Sequence, residues 1–165
     1  MKALFIGRFQ PFHKGHLKVV KYILEEFDEV IIGIGSSQYS NTFDNPFTSD
    51  ERVEMIKKTL EKNKIKNYKI ILIPDIHDPP KWVEHVLSIF SDFDTVFTNN
   101  KLTKELFEKR SYKVLKTPIF NKAKYSGENI RNKISKNEFW EDLVPEEVSK
   151  YIKEINGVKR IQKNF

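Results

Sequence analysis

Short apolar runs rich in β-branched residues recur along this chain at 3–6, 30–34, 70–73 and 95–98, with a shorter one at 112–115. Between these runs the apolar period changes. Leu17, Val20, Leu24 and Phe27 repeat at helical spacing, as do Val53, Ile56 and Leu60 behind a capping-box pair, Thr48 and Glu51. Pro80 suits the first turn of a helix carrying Trp82, Val83 and Val86. Strands alternating with helices in this way are joined by right-handed crossovers and run parallel. The expectation is an α/β, Rossmann-like parallel sheet with helices on both faces.

After residue 117 the alternation stops and helical patterns take over. Ser126 is the expected N-cap of one helix, Pro145 stands near the start of the last long one, and Gly157 is expected to end it. The basic tail of Lys159, Arg160 and Lys163 reads as a frayed end. No linker, low-complexity stretch or repeat sets this part off. A single domain is therefore expected over 1–165, with a Rossmann-like core at 1–117 and a helical subregion at 118–165.

The run Gly7-Arg8-Phe9-Gln10-Pro11-Phe12-His13-Lys14-Gly15-His16 joins the first strand to the first helix. In parallel α/β sheets ligands bind beyond the carboxyl ends of the strands, where this loop begins. A helix N-terminus favours phosphate through its free N–H groups and dipole, and Gly15 allows close approach to the backbone. His13 and His16, three residues apart, can meet around one group, each donating a hydrogen bond, and Arg8 adds a planar fork for phosphate oxygens. That cluster suits charge developing on a transferring phosphoryl group. The absence of a Gly-x-Gly-x-x-Gly turn argues against a dehydrogenase.

Charge and composition narrow the partners. The chain has 165 residues, a formal charge of +6 and no cysteine, which removes disulfide, thiolate–metal and cysteine-nucleophile chemistry together. Its lysines are interspersed with glutamates, as on a solvated surface, so nucleic acid is not an expected partner; Lys62, Lys64, Lys66 and Lys69 read as a surface turn. Arginine is scarce, at five against twenty-four lysines. Arg8, Arg52 and Arg131 nevertheless fall in the conspicuous motifs, which favours an anionic small ligand. No apolar run approaches the roughly 18 residues that span a bilayer. We expect no membrane association and a cytoplasmic location.

His13-Lys14-Gly15-His16 after Gly7-Arg8-Phe9 resembles the HxGH motif of the nucleotidylyltransferase superfamily, which joins a nucleotide to a phosphorylated acceptor with release of pyrophosphate. Tyr125-Ser126-Gly127-Glu128-Asn129-Ile130-Arg131 is similar to that family's serine-and-arginine helix start beside the triphosphate. Gly33 to Ser37, Asn45 to Thr48 and Glu51-Arg52 narrow the resemblance to archaeal-type nicotinamide-nucleotide adenylyltransferases, over nearly the whole chain. The resemblance implies adenylyl transfer from ATP to nicotinamide mononucleotide (NMN), giving NAD⁺ and pyrophosphate by in-line attack without a covalent intermediate. It also implies a homo-oligomer, and Mg²⁺ carried on the ATP phosphates instead of a dedicated metal site.

Within that reading His13, His16, Arg8 and Arg131 form the catalytic set. ATP is placed against Gly7, Phe9, Gly15, Ser126 and Gly127, with Arg52 either at the nucleotide or in an ion pair with Asp50 or Glu51. Ile119 and Phe120 line the adenine pocket or pack. Asp75 and Trp82 are assigned to NMN, with core packing the other role open to Trp82, and Asn99 joins them through an amide able to read a base or ribose. Asp75-Ile76-His77-Asp78 also has the residue types of a hard-metal site or a polar turn. The rival functions are transfer to another acceptor, such as pantetheine phosphate, and a non-catalytic basic module binding RNA or nucleotide.

Overall fold

The computed structural model describes residues 1–164. Its contacts divide the chain into two compact units. The first, Met1–Gly7, Val19–Ser37 and Asn67–Pro118, holds five strands: β1 (Lys2–Gly7), β2 (Glu29–Gly35), β3 (Tyr68–Ile73), β4 (Thr95–Phe97) and β5 (Lys113–Leu115). All pair in parallel, in the order β3-β2-β1-β4-β5. Each strand stands where an apolar run predicted it, and the order reverses beside β1, as in a doubly wound sheet.

Register explains how the sheet is covered. Leu4 lies opposite Ile31 on one side and Val96 on the other, so the three share a face. That face packs with Val83 and Val86 of α3 (Pro79–Ile89) and Phe107 of α4 (Lys101–Lys109) in a core that also takes in Ile73 and Phe93. Phe5 opposes Ile32 and Phe97 on the other face. There Phe97 meets Phe27 and Tyr22 edge-on, Tyr22 coming from α1 (Lys14–Leu24). Helices thus cover both faces, as the alternation required. Pro79 and Pro80 occupy the first positions of α3, where a missing N–H costs no intrahelical bond.

The second unit comprises Arg8–Lys18, Gln38–Lys66 and the residues from Ile119 on. It contains the first turn of α1 together with α2 (Ser49–Lys62), α5 (Gly127–Ser135), α6 (Glu146–Glu154) and α7 (Gly157–Lys163), and a short 3₁₀ turn at Glu141–Leu143. Helix α2 packs on α6, α5 on α7, and α6 on α7. The Thr48 capping box forms as predicted: its hydroxyl accepts the Glu51 N–H at 3.1 Å, and its own N–H donates to Glu51 Oε1 at 2.9 Å.

Two expectations for the C-terminal part are corrected. Gly157 does not end the final helix; it begins α7, and the left-handed turn that separates α6 from α7 is taken by Asn156, φ 56°. A Cβ on Gly157 would come within 2.9 Å of both the Phe47 ring and Ile152 Cγ2, so close packing explains the glycine. Nor is Arg160 part of a frayed tail. Its guanidinium donates to Glu51 Oε1 and Oε2 at 2.6 and 2.9 Å and to the Pro46 carbonyl at 3.1 Å.

Burial pushes the Glu51 carboxyl up, but the hydrogen bonds from Arg160 and the Thr48 backbone outweigh it and leave its pKa lowered. A carboxyl lowered in the folded state contributes stability that is present above its unfolded value, about 4.3, and lost as pH falls through the folded one. Glu51→Gln keeps an acceptor for the cap and removes the ion pair. In urea unfolding at pH 7 it should cost about 1–2 kcal/mol, and the gap from the parent should close below about pH 4. A gap that persists undiminished at pH 3 would show that the pair is not its source.

Candidate active site

The residues between β1 and α1 build the site. His13 stands at the N-cap of α1, its carbonyl accepting the Leu17 N–H at 3.2 Å. The His16 N–H donates to His13 Nδ1 at 3.3 Å, and the His13 N–H donates to His16 Nδ1 at 3.1 Å. This is the reciprocal geometry of a capping box, made here by two imidazoles in place of a hydroxyl and a carboxylate. The rings lie almost parallel with centroids 3.5 Å apart. Phe12 stacks on the far side of His16 at 5.4 Å, and Phe9 meets it edge-on at 4.7 Å.

The box fixes the chemistry of both histidines. A ring nitrogen that accepts an N–H cannot itself carry a proton, so each imidazole is neutral with its proton on Nε2. Electrostatics agree. Burial lowers His13 to about 3, and burial followed by the proximity of His13 lowers His16 well below its ordinary value. Each histidine is thus a hydrogen-bond donor at neutral pH without being a cation. Gly15 also has a packing role: a Cβ there would lie 2.9 Å from His13 Cε1 and 3.0 Å from Tyr125 Cβ, so the glycine makes room for the His13 ring.

Opposite this pair lies the start of α5. Ser126 caps it, accepting the Asn129 N–H at 3.1 Å. Arg131, only 4% exposed, donates from Nη1 to the Gln10 carbonyl at 2.8 Å, while its buried Nε has no hydrogen-bond partner. Gly127 is required for this fit, since a Cβ would meet Arg131 Nη1 at 2.6 Å. Arg8, Phe9, Gln10, His16, Asp44, Ser126, Gly127, Glu128 and Arg131 together line a cleft of about 520 Å³. Six of these nine were candidates from sequence. Gln10, Asp44 and Glu128 were not, although Gln10 and Glu128 stand inside the two motifs.

Gln10 organises the backbone. It donates to the Phe47 carbonyl at 3.0 Å and accepts the Phe47 N–H at 2.9 Å, pairing with that residue as a strand would. Phe9 turns the chain through a left-handed conformation, φ 54°, with its ring buried. For a residue with a Cβ this costs about 1–3 kcal/mol, which the surrounding contacts offset. Arg52 is fully buried and donates to the carbonyls of Thr48, Arg8 and Tyr39 at 3.2, 3.0 and 3.4 Å. Burial, and then the charge of Arg8, lower it to about 10. The carboxylate of Glu51, one of the two considered for it, pairs with Arg160. In this arrangement Arg52 holds the backbone from which Arg8 projects.

The remaining candidates are placed as follows. Ile119 is exposed, and the half-buried Phe120 ring carries Lys18 Nζ 5.6 Å from its centroid. Gly7, Asp75, Trp82 and Asn99 belong to the sheet unit. Gly7 ends β1, opposite Ile34. Asp75 accepts the His77 N–H at 2.8 Å, Trp82 meets Phe107 edge-on at 5.8 Å, and Asn99 donates to the Thr117 carbonyl at 2.8 Å. Among the described residues no three histidine or acidic side chains are grouped to hold a metal, and no helix is long and apolar enough to cross a membrane.

A family model of cytidylyltransferase-like proteins matches residues 4–133. The chain is 50% identical over 161 residues to a nicotinamide-nucleotide adenylyltransferase of Thermoplasma acidophilum, covering 98% of this chain and 90% of that protein. The chain belongs to this nucleotidyltransferase family. A relative of the same name from Methanococcus vannielii is 51% identical over 163 residues, covering 99% and 94%, and one from Pyrococcus furiosus 48% over 164, covering 98% and 87%. Among solved structures, a bifunctional NMN adenylyltransferase/ADP-ribose pyrophosphatase of Francisella tularensis, complexed with AMP and a manganese ion, superposes with a TM-score of 0.80 at 20% identity. That match covers 99% of this chain, which spans about half of the larger protein, and it supports the fold. The resemblance carried by the HxGH and Ser126–Arg131 motifs therefore holds for this adenylyltransferase family member.

Protonation of either imidazole would expel an N–H from the cap. In ¹⁵N-correlated NMR spectra both histidines should show an unprotonated Nδ1 and a protonated Nε2, unchanged between pH 8 and 5.5. Because both values lie below that of the unfolded chain, stability held above about pH 6.5 should decline as pH falls further. A histidine at 13 or 16 titrating near 6.5 would refute the box.

Proposed function

We propose that this chain transfers the adenylyl group of ATP to nicotinamide mononucleotide, giving NAD⁺ and pyrophosphate. The observation that carries the reading is the cleft itself: the His16 imidazole, two guanidiniums and the N-terminal turn of α5 line one space, which suits a polyphosphate. An oxygen of the NMN phosphate attacks the α-phosphorus of ATP, the new P–O bond forms, and the bond to the β-phosphate oxygen breaks to release pyrophosphate. The attacking oxygen is already anionic. No general base or covalent nucleophile is needed, and catalysis reduces to alignment and charge stabilisation.

In this reading the His13 and His16 donors hold the α- and β-phosphate region. Arg8 and Arg131 take the polyphosphate, and the orphaned Nε of Arg131 gains an acceptor. Neutral imidazoles suit this work, since they donate at any pH near 7 without fixing a charge that product must escape. Asp75, Trp82 and Asn99 are the residues proposed for the acceptor: an indole face suits a cationic pyridinium ring, and carboxylate and amide suit its polar groups. The carboxylate of Glu128 and the hydroxyl of Ser126 are hard oxygen donors at the cleft, of the type Mg²⁺ accepts, but too few for a protein cage. Mg²⁺ arriving on the triphosphate, with water completing its shell, would neutralise charge on the leaving phosphates.

Incubation with ATP, Mg²⁺ and NMN, reading NAD⁺ directly, tests the reaction; pyrophosphate release with pantetheine phosphate and none with NMN would move the acceptor elsewhere. His16→Ala should lower kcat by about 10²-fold and also lower the melting temperature, because it removes half of the cap. His16→Gln, whose amide oxygen can accept the His13 N–H, should restore the melting temperature and only part of the rate. A His16→Ala enzyme with nearly unchanged kcat removes the assigned role.

A further inference from the structure

Both cleft arginines are engaged by one short turn. Residues 41–46 fold back on themselves: the Asn41 N–H donates to the Pro46 carbonyl at 3.3 Å, the Thr42 N–H to the Asn45 carbonyl at 3.2 Å, and the Asn45 N–H to Thr42 Oγ1 at 3.1 Å. The tip carries Phe43, Asp44 and Asn45. Arg8 Nη1 donates to Asn45 Oδ1 at 3.4 Å. Arg131 Nη2 lies 4.0 Å from Asp44 Oδ1, and its guanidinium sits 5.9 Å from the centre of the Phe43 ring. Arg160 and Gln10, through Pro46 and Phe47, anchor the end of the turn.

We propose that Asp44 is an internal stand-in for phosphate, a counter-ion seated on Arg131 that the polyphosphate of ATP must displace, so that it sets how tightly the cleft takes its nucleotide. The inference rests on the cleft being the ATP site. Its physical basis is charge. With His13 and His16 neutral, the cleft holds two cations, Arg8 and Arg131, and two anions, Asp44 and Glu128. Burial and the charge of Arg8 weaken the hold of Arg131 on its proton, and Asp44 and then Glu128 oppose them. A buried guanidinium facing a second one is costly unless countered, and Asp44 supplies the counter-charge. The carboxylate is itself exposed, on a turn tip, so it can leave at small cost when a stronger anion arrives.

The test is calorimetric titration of ATP, in EDTA and again with Mg²⁺, into the parent enzyme, Asp44→Asn and Glu154→Gln, at low and moderate salt. Glu154 lines a separate cavity on α6 and controls for net charge. Asp44→Asn should bind metal-free ATP about threefold tighter at low salt, less so as salt rises, and Glu154→Gln should match the parent. Unchanged or weaker binding by Asp44→Asn overturns the proposal, as does equal tightening in both variants. Weaker binding of Mg²⁺–ATP alone would make Asp44 a metal ligand and also overturn it. A parent enzyme that binds no ATP would instead bring down the reading of the cleft.

Discussion

The two hydrogen bonds exchanged between His13 and His16 are what the rest of the cleft is arranged around. They start α1, fix the proton of each ring on Nε2, and set the rings face to face, with Phe12 stacked on His16. Helix caps are normally built from hydroxyls and carboxylates, which satisfy the backbone and do nothing else. Building one from imidazoles satisfies the same N–H groups with one ring nitrogen and leaves the proton on the other. Gly15 follows from this, because any side chain at that position would collide with the His13 ring.

Gln10 and Arg52 extend the order outward by a different device. Each uses side-chain donors on backbone carbonyls, Gln10 on Phe47 and Arg52 on Thr48, Arg8 and Tyr39. A buried arginine must be matched by acceptors to be tolerated, and backbone carbonyls with a lone pair to spare are such acceptors. Loop and guanidinium therefore satisfy one another. The loop gains a fixed course, and the carbonyls, together with the nearby charge of Glu51, offset the burial of the guanidinium.

Much of this was legible in the sequence where the signal was local. The five strands stood out as β-branched runs, the Thr48 and Ser126 caps as residue types at fixed offsets, and His13, His16, Arg8 and Arg131 as members of two motifs. The histidine cap itself was open to reading, because positions 13 and 16 have the spacing of a capping box, but imidazole is not the residue type that signals one. What escaped was long in range. Glu51 and Arg160 lie 109 positions apart, Gln10 and Phe47 are 37 apart, and nothing near Asp44 announces an arginine at 131. Gly157 misled for a physical reason: glycine commonly stops helices, but here Asn156 takes the left-handed turn and glycine is needed for contact with Phe47 and Ile152.

The shared grip of Arg160 on Glu51 and Pro46 gives α7 a reach beyond its own packing. Deletion of α7 would remove the ion pair from the first turn of α2 and release the Pro46 end of the turn in one stroke. Damage to that helix would thus reach the Asp44 turn that lines the cleft without touching any residue of the cleft directly.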